Sequence, residues 1–217
     1  MTIKLRTMVF LTVCMFLWPA VASGEWFGDV YLGGHSSLAD DTEIKVNGNP
    51  VRTVSDSDTG WIFGGKIGYW FERYSWLGLA GDASFSELNL DDIDIGEGSM
   101  SALVLARLQL GASEKFPKGR IQPYAAIGPG IFYGGMSEFI PEVPPFGGVL
   151  EDTYFVLGID ARGGVTVLID ESYGVFLEYG YRSFAPSFES YAFGGGKITF
   201  EPTIETHNLV LGFTWRW

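Results

Sequence analysis

From residue 25 onward the chain is written largely in alternation, with apolar residues on every second position for about ten residues at a time and polar or small residues between them. That is the period of a β-strand, whose successive side chains leave opposite faces of the pleat. Eight such segments stand out, near residues 25–35, 60–71, 76–86, 100–111, 120–132, 153–168, 174–184 and 206–217. In the last, Leu209, Leu211, Phe213, Trp215 and Trp217 share one face, and Asn208, Gly212, Thr214 and Arg216 the other. The second repeats this, with Trp61, Phe63, Ile67, Tyr69 and Phe71 against Gly64, Lys66 and Gly68. Each segment is long enough to cross a bilayer as a tilted strand, which takes about 9–11 residues.

The connections alternate in length: 72–75, 112–119 and 170–173 are short, whereas 36–59, 87–99, 133–152 and 185–205 are long. Short turns on one side and long loops on the other predict an all-β fold, a transmembrane antiparallel up-and-down β-barrel of eight strands with both chain ends on the short-turn side. A soluble sandwich shares the richness in strands but not alternation sustained over ten residues. The 30 glycines fit a narrow barrel, where they let the wall bend and leave room for bulky neighbours.

Ahead of the strands, Lys4 and Arg6 precede an apolar run from Met8 to Trp18, followed by Pro19 and Ala20-Val21-Ala22. This reads as a signal peptide over 1–22, cleaved after Ala22, with the barrel domain over 23–217. The run is too short for a spanning helix, which needs about 20 apolar residues. Cys14, the single cysteine, falls inside it, so the expected mature chain has neither a disulfide nor a thiolate metal site.

Past the leader, 26 acidic side chains face 12 basic ones, and the four long loops hold 17 of the acids against only Lys45, Arg52 and Lys197. Strands and short turns are therefore neutral, and the acidic excess excludes a nucleic-acid partner. The face opposite the apolar one carries Asp29, Lys66, Asp82, Arg107, Asp160, Arg162, Glu178, Arg182 and Arg216. Side chains alone can fill an eight-stranded lumen, so these charges are expected to pair and plug it. Counting from strand ends, Asp29 is expected to pair with Arg216 across the closing seam. Lys66, Asp82 and Arg107 then fall near mid-height, with Asp160 and Arg162 opposite Glu178 and Arg182.

Three segments, Arg120 to Phe132 (RIQPYAAIGPGIF), Gly65 to Phe71 (GKIGYWF) and His207 to Trp217 (HNLVLGFTWRW), resemble the OmpA/OmpX-type outer-membrane β-barrel superfamily across essentially the whole chain past the leader. The resemblance implies an integral protein of the Gram-negative outer membrane with its long loops outside, whose partners are outer-membrane lipid, lipopolysaccharide and the barrel-assembly machinery. It also implies a monomer without a cofactor. The run Leu209, Leu211, Phe213, Trp215, Trp217 resembles the family's assembly signal, although the family usually ends in Phe.

Such motifs speak to fold rather than function. The expected role is structural or interactive, presenting acidic loops without catalysis; divalent cations would bridge loop carboxylates to lipopolysaccharide phosphates. One alternative is an OmpW-like channel for apolar molecules, for which Pro123 and Pro129 in the fifth strand remove ladder donors and could mark a lateral opening or, more simply, a bulge. Another is a lipid A-modifying enzyme, since the fold also hosts deacylases and palmitoyltransferases. His35 and Ser37 have the spacing of a base and nucleophile but sit in the first strand, and loop polarity accounts for them. Asp91, Asp92, Asp94 and Glu97 offer hard oxygen ligands without the spacing of a calcium loop, so no specific metal site is expected.

Overall fold

A computed structural model of the chain describes residues 24–39, 42–47, 49–54, 57–90, 93–140, 148–191 and 197–217. The leader read over 1–22 lies outside the described residues. The strands are β1 (Gly24–Ala39), β2 (Thr42–Val46), β3 (Asn49–Val54), β4 (Ser57–Phe71), β5 (Leu77–Leu90), β6 (Ile93–Arg107), β7 (Ile121–Ile140), β8 (Gly148–Leu168), β9 (Tyr173–Phe184), β10 (Phe188–Tyr191), β11 (Lys197–Phe200) and β12 (Ile204–Arg216). Eight of them close in the order β1-β12-β9-β8-β7-β6-β5-β4, each antiparallel to its neighbours. Closure comes from β1, which pairs with β4 on one side and with β12 on the other, from Phe27 opposite Arg216 to Ala39 opposite Ile204. A sheet closed in this way leaves no edge for lipid to meet, which is what a strand-built membrane protein requires.

Alternation sorts the two faces. Outward positions are apolar, with Phe155, Leu157, Trp61 and Leu211 among the most exposed, and aromatic residues gather near both rims. Trp26, Trp76, Tyr173, Trp215 and Trp217 mark the end with the short turns, while Trp61, Phe85, Tyr133, Phe155 and Tyr179 mark the other. Between Trp61 and Phe71 of β4 the wall spans on the order of 25 Å along the membrane normal, the height of a barrel's apolar band. Inside, Phe27 and Phe176 lie over Gly68 and Gly212 of the neighbouring strands, where a Cβ would run into each ring.

The long connections differ from the loops expected of them. β7 and β8 are 20 and 21 residues long, and they stay paired from Ile121 opposite Val167 to Ile140 opposite Gly148. Likewise β5 and β6 remain in register up to Leu90 opposite Ile93. Most of 87–99 and 133–152 therefore consists of hairpin arms that continue the wall past the apolar band. Their backbone donors and acceptors find partners in the ladder, so leaving the membrane gives the strands no reason to stop. The connections at 36–59 and 185–205 also carry strands: β2, β3, β10 and β11 form a second sheet in the order β10-β11-β2-β3. Asn47, in the left-handed region at φ 50°, turns the β2–β3 hairpin, donates its backbone N–H to the Lys197 carbonyl at 2.8 Å and accepts the Lys197 N–H on its side chain at 3.0 Å.

At Pro129 the β6–β7 ladder omits two pairs, between Ser101 opposite Gly130 and Val104 opposite Ile127. The offset is the same on both sides of the gap, so the proline removes hydrogen bonds without creating the expected bulge. Pro123 stays opposite Val165, and its carbonyl accepts the Leu108 N–H at 2.8 Å.

The two ends of the barrel make a topological test available. Cysteine placed at Asn49 is expected to react with an impermeant thiol reagent on intact cells, and cysteine at Lys115 only after the outer membrane is breached. The opposite pattern would reverse the orientation.

Candidate functional site: the charged lumen

All nine charged residues expected on the inward face are buried. They form two clusters stacked along the axis.

The mid-height cluster is organised by Arg162. Its Nε and Nη2 donate to Asp160 at 2.8 and 2.7 Å, Nη1 and Nη2 to Asp82 at 2.9 and 2.6 Å, and Nη1 to Glu178 at 3.1 Å. Every N–H of the guanidinium is thus in use, on three carboxylates from three strands. Each carboxylate has further support: Tyr31 donates to both oxygens of Asp82 at 3.0 Å, Ser101 to Asp160 at 2.8 Å, and Tyr124 to Glu178 at 2.7 Å. Lys66 bridges Glu178 at 2.7 Å and Asp29 at 3.5 Å, and Arg182 adds Asp160 at 3.4 Å and the Ser84 hydroxyl at 2.8 Å.

The second cluster closes the short-turn end around Glu25, which receives Arg107 at 2.9 Å, Arg216 at 3.2 Å and Lys118 at 3.2 Å. Gln122 joins it, accepting from Arg107 and Arg216 at 3.2 and 2.8 Å and donating to the carbonyls of Lys118 and Gly119 at 3.0 and 2.9 Å. These contacts draw the 108–120 connection across the mouth as a cap, with Phe116 buried beneath it. Between the clusters remains a cavity of about 20 Å³, walled by Asp29, Lys66, Tyr124 and Arg216 among others. Toward the opposite mouth the polar column ends on Glu97, buried near the stacked rings of Phe132 and Phe184, whose centroids are 4.4 Å apart.

Two expected placements are corrected. Asp29 meets Lys66 rather than Arg216, which goes to Glu25. Arg107 lies not at mid-height but in the cap cluster, stacked on Trp70 at 4.2 Å. Height counted from strand ends ignores the stagger that closes a barrel, which sets Phe27 rather than Asp29 opposite Arg216. Glu25, Glu97 and Gln122 were not among the expected lumen residues. With Glu25 included, the two clusters hold five acids and five buried bases. Parity could have found it, since Glu25 shares the inward phase of Asp29.

The remaining candidates separate. His35 and Ser37 face the lumen, 4% and 0% exposed, and a His35 ring nitrogen is 2.6 Å from the Glu87 carbonyl. His207 lies on the outer face, bonded to the Tyr179 hydroxyl, so the two histidines occupy opposite sides of the wall. Asp91 and Asp92, and the side chain of Asp94, lie outside the described residues; Glu97 points inward, away from any outer cluster. Leu209, Leu211, Phe213, Trp215 and Trp217 line the outer face, on and just beyond a strand paired on both sides.

A closed eight-stranded wall with an apolar outer band, aromatic girdles and an ion-paired interior defines an integral outer-membrane barrel. The chain belongs to the outer membrane protein beta-barrel domain family, whose model matches residues 8–216. Among solved structures it is similar to the outer membrane protein OprG of Pseudomonas aeruginosa, at 15% identity and a TM-score of 0.59, covering 90% of this chain and 96% of that one. It is also similar to Neisserial surface protein A, at 11% identity and a TM-score of 0.50, covering 86% and 96%. At these identities the likeness is one of fold. No curated protein matches the chain.

Proposed function

We propose that this protein is a non-conducting, non-catalytic barrel whose work is to hold a β-structured surface outside the outer membrane. The observation that carries this reading is the packed column of five acids and five bases, every acid of which meets a base within 4 Å. An ion crossing the lumen would have to part these pairs, and a charge buried without its partner is costly. The surface held outside is the second sheet together with the arms of β5–β6 and β7–β8. All three loop bases belong to that sheet, while the stretches 87–99 and 133–152 carry nine acids and no base. Divalent cations on those carboxylates would tie the arms to lipopolysaccharide phosphates.

In planar bilayers the purified protein is expected to show no steady ion conductance. Frequent steps of fixed size would overturn the plug.

A second reading, passage of apolar molecules through the wall, is favoured by one feature. An outer depression of about 760 Å³, running across β4 to β7 and lined by Ile67, Ala83, Met100, Ala102, Pro129 and Ile131 among others, takes in the interrupted β6–β7 ladder. Uptake of a fluorescent apolar probe into proteoliposomes, abolished by a disulfide joining β6 to β7, would favour this reading.

A further inference from the structure

A second pocket, of about 300 Å³, opens at the short-turn rim between the cap, the β8–β9 turn and the ends of β1 and β12. Its charged lining is mixed: Lys118 and Arg216 supply cations, Glu25 and Glu171 carboxylates. Its apolar lining comes from Phe116, Leu168 and Trp217. The cations outnumber the carboxylate they share. Glu25 already receives Arg107, Arg216 and Lys118, three cations on one carboxylate. The cationic side of the pocket therefore carries the excess charge, while Glu171 lies on the exposed β8–β9 turn.

We propose that this pocket binds a zwitterion carrying a phosphate and an ammonium on a short linker, supplied by the headgroup of a phosphoethanolamine lipid in the adjoining leaflet. Lys118 takes the phosphate and Glu171 the ammonium, each through a charge-assisted bond, with the buried Arg216 behind them as fixed positive charge. Position favours the lipid as the source. Trp217 lines the pocket and is also part of the aromatic girdle, stacked with Trp215 at 6.2 Å, so a headgroup held here leaves its acyl chains along the outer wall. A site of this kind would secure the cap against the membrane surface, independently of what the opposite end presents.

The test compares lipid retained by the purified protein in native mass spectrometry after equilibration with equimolar phosphatidylethanolamine and phosphatidylglycerol. Preferential retention of the ethanolamine lipid is expected, lost by about tenfold in Lys118→Gln and in Glu171→Gln. Both variants change exposed side chains, and heat-modifiability on gels reports whether they fold. Equal retention of the two lipids, or retention indifferent to both variants, would overturn the proposal. Soluble phosphoethanolamine quenching tryptophan fluorescence in lipid-free detergent, without lipid preference, would overturn the lipid as the source.

Discussion

Replacing Arg162 with alanine is expected to destabilise the folded barrel by about 3–5 kcal/mol, the range found when one partner of a buried ion pair is removed. The substitution strands Asp82, Asp160 and Glu178 together, because all three take hydrogen bonds from that one guanidinium. Tyr31, Ser101 and Tyr124 still donate to the orphans, and Lys66 and Arg182 still lie within 4 Å of them, which keeps the expected cost inside that range. Arg162→Lys should recover only part of the loss, since an ammonium has three donors where the guanidinium uses five. Glu178→Ala should fall between, freeing Lys66 and one Arg162 bond while Asp29 remains near Lys66. Urea unfolding in lipid vesicles gives the order, with Glu171→Ala on the exposed turn as the reference, expected within about 1 kcal/mol of the parent. If Arg162→Ala unfolds with that reference, the column is hydrated and does not hold the wall.

Changing Trp217 to aspartate, or deleting it, is expected to lower the folded, heat-modifiable fraction in cells several-fold. The Trp217 N–H donates to the Trp26 carbonyl and its own carbonyl accepts the Trp26 N–H, both at 3.1 Å, so the residue completes the seam between the last strand and the first. A charge near the membrane interface costs little by itself, about 0–1 kcal/mol. A large loss of yield would therefore report failed recognition or closure rather than an unstable product. Refolding the variant into vesicles without assembly machinery separates the two: near-normal refolding beside a deficit in cells points to recognition. Unchanged yield in cells would refute the assembly role of the run from Leu209 to Trp217.

Strand number, facing and closure were legible in the sequence because alternation is local and lipid on one side enforces it. All eight barrel strands fall on the expected segments, and their ends differ mainly where the arms run on. Those extensions were hidden because stretches such as 133–140 mix glycine, serine and acid with apolar residues, and pairing rather than amphipathicity keeps them extended. The lumen partners were harder to read. Which residues face inward follows from parity, but Asp29 meets Lys66 only because of the stagger between β1 and β4, a property of the closed wall. The cap was concealed for a related reason: nothing local in 112–119 says that Lys118 will reach Glu25, 93 residues earlier in the chain.

The pairing of β11 with β2 brings Ile198 opposite Val46 and Thr199 opposite Lys45. A surface built this way is discontinuous in sequence, and a short peptide copying either segment carries only half of it. An antibody raised against such a peptide meets the sequence without its neighbour, whereas one selected on the intact protein reads both at once. Escape from the second kind is open to a change in either segment, and exchanging one of them between related barrels would carry over the epitope only if its pairing partner moved with it.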